Sequence, residues 1–179
     1  GSSFKTLYIG GISGRIASTN ATYGKPVSNC NNAGNIVIED GVTITEDLIG
    51  GGLIGQYYNA TPDLNIFKDS TNAGSFTIGA CTLKDTYVGG ITGSQSSKPV
   101  PMSNVTNTGD ISWAATNSGE VCLAGVCASN TQSRANWSGL SNFGNITATG
   151  TAPDAKVQIG GVCARGVGVM NGFIHYGNI

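Results

Sequence analysis

The chain has 179 residues, of which 28 are glycine and only 11% are charged. Nine lysines and arginines against ten aspartates and glutamates give a formal net charge of −1, with no basic run to neutralise a row of phosphates, which argues against nucleic acid as a partner. Abundant Gly, Asn, Ser and Thr disfavour helices, while Ile and Val favour strands, so we predict an all-β fold. No apolar stretch approaches the roughly 20 residues that span a bilayer, so we expect no membrane insertion of this segment.

The first element is a four-residue block that opens with glycine and an apolar residue and closes with glycine or alanine, and it recurs along the whole chain. Its copies occupy residues 11–14, 52–55, 90–93, 125–128 and 161–164. Regular recurrence is the signature of a repeat architecture. It predicts a single repeat domain over 1–179, with repeats at approximately 7–47, 48–85, 86–120, 121–156 and 157–179. Because the sequence begins and ends inside the pattern, we expect a fragment of a longer protein.

A second block follows each copy and is best compared as columns counted from its own glycine, the reference glycine: Gly34, Gly74, Gly109, Gly144 and Gly177. The column seven places before it is always large and apolar: Val27, Phe67, Met102, Trp137 and Met170. The column two places after it is always apolar: Ile36, Phe76, Ile111, Ile146 and Ile179. Such columns predict a continuous core that no repeat could bury alone.

The column two places before the reference glycine is polar and contains Asn32, Asn72, Asn107, Asn142 and His175. An amide can donate and accept, so stacked copies can hydrogen-bond along the array. Asn also tolerates a left-handed backbone, and the nearby glycine can supply a positive φ. We therefore interpret this column as a structural corner.

These patterns predict an all-β, parallel β-helix, that is, a right-handed β-solenoid of about five coils with about three short strands in each. A five-bladed propeller is the alternative, but a blade usually needs four strands and more residues than these repeats contain. The pair Asp40-Gly41, between two β-branched runs, adds the prediction of a local hairpin.

The two blocks together resemble the GLUG-motif repeats of bacterial surface proteins, which are named after Gly-Leu-hydrophobic-Gly. Residues 52–55 match this pattern literally, and residues 10–14 with 27–36 match its longer form. Ala128 and Ala164 replace the closing glycine in the last two copies. The resemblance covers nearly the whole chain. It implies a β-solenoid in a large secreted or surface-anchored, adhesin-like protein of Bacteroides-type bacteria, and it supplies no catalytic residues.

Three tyrosines are candidate binding residues. Tyr23 follows the first glycine block, and Tyr57 and Tyr58 follow the second, in segments that we predict to be loops on one side of the stack. Exposed aromatic rings can stack on sugar rings. The alternative interpretation is that these side chains simply cover the flank of the solenoid.

Catalytic and metal sites have weaker signals. The only histidine, His175, lies in the Asn column, so a Ser-His-Asp or Cys-His site is not expected. The acidic pairs at 39–40 and 46–47 leave open paired catalytic carboxylates or a calcium ion. No calcium-motif spacing supports the latter, and we predict no metal and no cofactor.

The five cysteines contain no CxxC pair. Cys127 and Cys163 occupy equivalent places in consecutive repeats. Stacked strands would put them about 4.8 Å apart, within disulfide range. Small buried hydrophobes are the alternative, and the sequence leaves both open.

We therefore expect a non-catalytic module of a bacterial protein that is secreted or anchored at the cell surface, through the outer membrane. Its roles would be adhesion, binding of a host glycan or extracellular protein, or a structural stalk within a larger surface protein. The alternative is a carbohydrate-active β-helix domain that cleaves polysaccharides as a lyase or hydrolase.

Overall fold

The structure, a computed structural model, describes residues 1–18, 27–59, 67–98, 100–132 and 135–179. These residues form a parallel β-solenoid, which confirms the predicted fold class, and it has about four turns where the sequence predicted about five coils. They contain no helix, and therefore none long and apolar enough to cross a membrane. The handedness of the solenoid stays a prediction.

Short strands follow one another around each coil. In the first two coils they are β1 (Ser3–Phe4), β2 (Leu7–Gly10), β3 (Ser13–Ser18), β4 (Val27–Ser28), β5 (Asn31–Asn32), β6 (Ile36–Ile38), β7 (Thr43–Gly51), β8 (Ile54–Asn59), β9 (Phe67–Asn72) and β10 (Phe76–Ile78). In the remaining coils they are β11 (Thr82–Gly89), β12 (Thr92–Ser97), β13 (Met102–Asn107), β14 (Ile111–Trp113), β15 (Thr116–Asn117), β16 (Val121–Ala124), β17 (Cys127–Asn130), β18 (Asn136–Asn142), β19 (Ile146–Ala148), β20 (Val157–Gly160), β21 (Cys163–Arg165), β22 (Val169–Asn171) and β23 (Ile174–His175).

Each complete coil has four faces, where the sequence predicted about three strands. The first face contains β1, β2, β7, β11, β15, β16 and β20; the second, β3, β8, β12, β17 and β21; the third, β4, β5, β9, β13, β18, β22 and β23; the fourth, β6, β10, β14 and β19. The fifth repeat contributes strands to the first three faces. Strands pair in parallel with the adjacent coils, and one register row joins the five repeat starts: Leu7, Leu48, Thr86, Val121 and Val157.

The predicted hairpin at Asp40-Gly41 is wrong. Strand β6 lies on the fourth face and pairs with β10, whereas β7 lies on the first face and pairs with β2 and β11. Gly41 has a φ of 77° and turns the chain from one face to the next. The Asp40 carboxylate accepts a hydrogen bond of 2.7 Å from the Ala80 amide of the next coil. The turn residues therefore form a corner, because each flanking strand finds its partners in neighbouring coils.

The interior contains two separate apolar clusters, and both apolar columns predicted from the second block point into them. The cluster between the first and fourth faces includes Ile36, Phe76 and Trp113. The cluster between the second and third faces includes Phe67, Met102 and Trp137, and all three side chains are 0% exposed. The columns therefore supply the core, as the sequence predicted, except for Ile179 of the last repeat, which is 66% exposed.

A contact across the molecule lies at the boundary between these clusters. The corner that joins the first and second faces touches the corner that joins the third and fourth. A Cβ atom built on Gly52 would come within 3.0 Å of the Asn72 side chain, and one on Gly125 within 3.0 Å of Asn142. The glycines of the first block are therefore required by close approach. The first corner is consequently re-entrant, and it leaves a cleft on the outer surface.

The predicted positive φ at the reference glycines is wrong. A Cβ on Gly74 or Gly109 would instead meet the carbonyl oxygen of the equivalent glycine in the preceding coil within 3.0 Å, so these glycines permit close stacking. A column of left-handed residues lies instead five places before each reference glycine. They are Asn29 (φ 55°), Asp69 (φ 50°), Asn104 (φ 51°), Gly139 (φ 61°) and Gly172 (φ 63°).

This left-handed column explains how residues three apart both face the core. Strict alternation would send Met102 and Val105 to opposite sides of the sheet. Asn104 lies between them with positive φ and leaves the ladder, since the pairing with β18 passes from Ser103 to Val105. Met102 and Val105 are both buried in the same cluster.

Candidate functional site

The Asn column forms a continuous row of hydrogen bonds inside the solenoid. Asn32 donates to Asn72 (2.9 Å), Asn72 to Asn107 (2.8 Å) and Asn107 to Asn142 (2.8 Å). The Asn142 amide faces Nδ1 of His175 at 3.1 Å. Each of the four amides also donates to the carbonyl of the reference glycine two places later. Asn72, Asn107 and Asn142 are buried, so the row holds the coils together and offers no surface to a ligand.

His175 completes this row as an acceptor. Because the Asn142 amide donates, Nδ1 of the ring accepts and Nε2 carries the proton. The Nε2 atom is buried and has no hydrogen-bond partner among the described residues. The imidazole therefore fits the row less well than an amide would.

The candidate tyrosines have three different outcomes. Tyr23 lies outside the described residues. The placement of Tyr57 in an exposed loop is wrong, because it lies within β8, is 2% exposed and packs in the core, where burial raises the pKa of its hydroxyl. Tyr58 is half-buried on the opposite side of the same strand, since neighbouring side chains of a strand alternate. Its binding role stays a prediction.

The re-entrant corner forms a cleft along the stack, which we call the outer cleft. Arg15 of the second face lies over the Tyr8 ring of the first face, 5.3 Å from its centroid. Arg165 lies over Tyr87 in the same way at 5.5 Å. Outward side chains from both walls are buried there although they belong to neither core cluster: Ile49, Gln56, Cys122 and Ser129.

At the Arg165 end, the outer cleft contains an internal ion pair. The guanidinium binds the Glu120 carboxylate, and its Nη2 donates to Ser129 Oγ at 2.8 Å. The Tyr87 hydroxyl donates to the same Glu120 carboxylate at 3.1 Å. Burial, followed by the negative Glu120, raises the pKa of Tyr87. This end is therefore already occupied by its own partners.

At the Arg15 end, the guanidinium lies over two aromatic rings. Tyr58 lies 5.2 Å away and Tyr8 5.3 Å away. Arg15 itself is exposed, and within the described part of the chain it forms no ion pair. Arg15 and Arg165 occupy the same register row, which runs through Gln56, Ser94 and Ser129.

A second surface, missed by the sequence analysis, is the pair Phe143 and Tyr176. Their rings stack with centroids 5.6 Å apart and an interplanar angle of 14°. They are 47% and 76% exposed. The sequence does indicate this pair, because the column directly before the reference glycine holds small residues in the first three repeats and aromatic residues in the last two. Its members are Ala33, Ala73, Thr108, Phe143 and Tyr176.

Polar side chains flank this aromatic pair on the other side of the glycine. The Asn145 amide donates to Asp110 at 3.1 Å, and the Asn178 amide donates to Asn145 at 3.2 Å. All three hydrogen-bonding groups lie on the exposed surface. The surface therefore combines two apolar rings with amide and carboxylate groups that can bind hydroxyls.

The acidic pairs do not gather into a metal site among the described residues, where no group of three or more His, Cys, Asp or Glu side chains could hold a metal ion. Glu46 instead binds Lys5 (3.1 Å) and accepts from Thr6 (3.1 Å). These hydrogen bonds lower the pKa of its carboxyl. Burial, with the nearby Asp85 charge, raises the pKa of Asp47.

Cys127 and Cys163 lie side by side in register on the second face. Both are free thiols. Burial raises the pKa of Cys163 to about 12 and that of Cys127 well above its ordinary value. The neutral thiol is therefore the stable form of each, which suits a small buried side chain.

No family model, no curated protein and no solved structure matches this chain. The β-solenoid fold thus stands on the pairing and burial of the chain's own residues.

Proposed function

We propose that the chain is a GLUG-type repeat module of a bacterial protein, secreted or anchored at the cell surface, and that it binds glycans without cleaving them. The GLUG assignment is supported by the contact between its two motifs. The glycines of the first block are the residues that admit the Asn side chains of the second. A Gly-Leu-hydrophobic-Gly block followed by Asn-x-Gly is therefore one structural unit.

The single observation that carries glycan binding is the exposed aromatic pair, Phe143 and Tyr176. Aromatic rings of this size are costly to leave in water without a partner. The C–H face of a sugar ring is apolar and flat enough to stack on them, while its hydroxyls need polar partners beside it. Asp110, Asn145 and Asn178 provide such partners on the adjacent column.

The proposed partners are a host glycan or a glycosylated extracellular protein, and the setting is adhesion. The repeat architecture suits this role because each coil rests on its neighbours, so a stack can hold a binding surface away from the cell as a stalk.

A glycan array tests this proposal with three proteins: the wild type, the double variant Phe143→Ser/Tyr176→Ser, and the control Val37→Ser. Val37 is also exposed and apolar, but it lies on the fourth face away from the pair. We expect the wild type and the control to bind the same glycans. The double variant should bind them at least about tenfold more weakly. Circular dichroism checks that all three are folded.

An array on which the wild type binds no glycan contradicts the proposal and leaves only the stalk role. Equal binding by the double variant would show that the aromatic pair is not the site. Incubation of a bound polysaccharide with the protein separates binding from cleavage, and we expect its chain length to stay unchanged.

A further inference from the structure

The side chain of Arg15 has the features of an anion-binding group that the fold has oriented in advance. Its guanidinium lies over both the Tyr8 and the Tyr58 ring, one from each wall of the outer cleft. Stacking on aromatic faces uses the flat surface of a guanidinium and leaves the N–H groups along its edge free to donate. Those N–H groups match the two oxygens of a carboxylate.

The other end of the cleft shows what such an arginine binds in this protein. Arg165 occupies the same register row as Arg15, rests on a tyrosine in the same way, and binds the Glu120 carboxylate and a serine hydroxyl. Arg15 has no carboxylate partner among the described residues. At one end the arginine thus binds a carboxylate of the chain itself, and at the other end the arginine is exposed to solvent.

We propose that Arg15, held against Tyr8 and Tyr58, binds the carboxylate of an acidic sugar in the outer cleft. This inference rests on the proposed function and names the class of glycan: a polysaccharide that contains uronic acids. The guanidinium binds the carboxylate through two hydrogen bonds, and the half-buried tyrosine rings contact the apolar face of the sugar.

Polygalacturonate is the probe, and its fully methyl-esterified form is the matched neutral control, since it has the same backbone without free carboxylates. Binding of the 179-residue protein is measured by isothermal titration calorimetry with EDTA present, so that divalent ions do not bridge the chain. Dextran sulfate, with dextran as its neutral control, tests whether a sulfate replaces the carboxylate.

The variants are Arg15→Gln, Arg15→Lys and Lys68→Gln. Lys68 lies on the third face, and its substitution changes the net charge by the same amount as Arg15→Gln. We expect Arg15→Gln to weaken polygalacturonate binding about tenfold or more, and Arg15→Lys about threefold or more because lysine keeps the charge but loses the planar fork. Lys68→Gln should bind like the wild type, and neither neutral polymer should bind at this site.

Three results would overturn this inference: wild-type binding by Arg15→Gln, equal binding of the methyl ester, or an equal loss in Lys68→Gln. Preference for dextran sulfate over polygalacturonate would also overturn it, in favour of a sulfate. If the wild type binds neutral glycans through Phe143 and Tyr176 but not polygalacturonate, the proposed function stands and only the acidic-sugar subsite fails.

Discussion

The side-chain amide of Asn107 lies against the backbone of Gly90, so closely that a Cβ atom at residue 90 would come within 3.0 Å of it. These residues belong to different motifs and to opposite corners of the same coil. Equivalent contacts join Gly52 to Asn72 and Gly125 to Asn142. The two motifs of each repeat are therefore two halves of one contact, and a change in either half should disturb the other.

Gly90→Ala should destabilise the protein strongly. The added methyl group would press on the Asn107 side chain and on the Gly125 carbonyl oxygen, a backbone atom that cannot move aside easily. We expect a loss of about 3 kcal/mol or more in the free energy of unfolding. Gly34→Ala is the control, since its Cβ would meet only the Asn32 side chain at an ordinary 3.5 Å. Urea unfolding measures both, and similar values for the two variants would contradict the close-approach explanation.

Asn107→Ala should cost more than Asn32→Ala. Asn107 is buried in the middle of the row, so its loss removes a donor and an acceptor and leaves the Gly109 carbonyl without its donor. We expect about 3 kcal/mol for Asn107→Ala and about 1 kcal/mol for Asn32→Ala, which is partly exposed and has one neighbour in the row. Thermal unfolding compares the two. An equal effect would mean that the row adds nothing beyond local turn contacts.

His175→Asn should stabilise the last repeat. An amide at this position could accept from Asn142 and donate to the Gly177 carbonyl, as the other four asparagines do with their own reference glycines. The gain should be about 1 kcal/mol, confined to that repeat. Hydrogen exchange checks this through slower exchange of backbone amides in residues 169–179. Faster exchange there would show that the imidazole is the better fit.

Gly139→Asn should be tolerated, whereas Gly139→Val should not. Gly139 has a φ of 61°, and a Cβ there would meet nothing closer than 3.6 Å. Asn104 adopts the same conformation in the adjacent coil. We expect no change or a gain of up to about 1 kcal/mol for Asn, and a loss of about 2 kcal/mol for the β-branched Val. Unfolding midpoints decide, and a large loss with Asn would contradict the role of this column.

Stability should fall in alkali because buried thiols must lose their protons. Burial raises the pKa of Cys122 to about 11 and that of Cys163 to about 12, against an ordinary value of 9.0. The folded state thus holds these protons more tightly than the unfolded state. The contribution is complete below about pH 9 and is lost as the pH rises toward 11 to 12.

Urea midpoints measured between about pH 8 and pH 11 check this prediction. The variant Cys122→Ala should show a shallower decline than the wild type, whatever its stability at pH 8. An unchanged slope would mean that Cys122 does not contribute to the pH dependence.

The columns were predictable from the sequence because stacking places equivalent residues on top of one another. Stacking requires Phe67, Met102 and Trp137 to point in the same direction. Because their column is apolar and its neighbours are polar, that direction is the interior of the solenoid. The Asn row follows from the same logic, since an amide repeated at one position can bond to its own copies. The parallel solenoid followed from these columns together.

The re-entrant corner was not predictable in the same way. It depends on a contact between Gly90 and Asn107, which lie in different motifs. The small residues of the first block do indicate that side chains pass close to the backbone there, but they do not indicate which side chains these are. The outer cleft, with Arg15 and Arg165 in one row, is a consequence of that contact. Tyr57 was misplaced because β8 continues past the glycine block to Asn59, so alternation, and not loop exposure, decides where each tyrosine points.

The left-handed column did leave a signal in the sequence. Its five members are Asn, Asp and Gly, the residues that enter this conformation most easily. The five positions are Asn29, Asp69, Asn104, Gly139 and Gly172. The reference glycine drew the expectation of positive φ because glycine is the residue most associated with it, although at that position its lack of a side chain matters more.

Every amide in the interior row donates in the same direction, from Asn32 toward His175. Aligned dipoles reinforce one another in a medium of low polarisability, much as the peptide groups of a helix do. The solenoid, whose sheets have little net dipole, therefore contains an electrical axis made of side chains alone. Reversing any one amide would place its donor opposite one neighbour's donor and its acceptor opposite the other neighbour's acceptor. The orientation of every amide in the row is therefore fixed by the others.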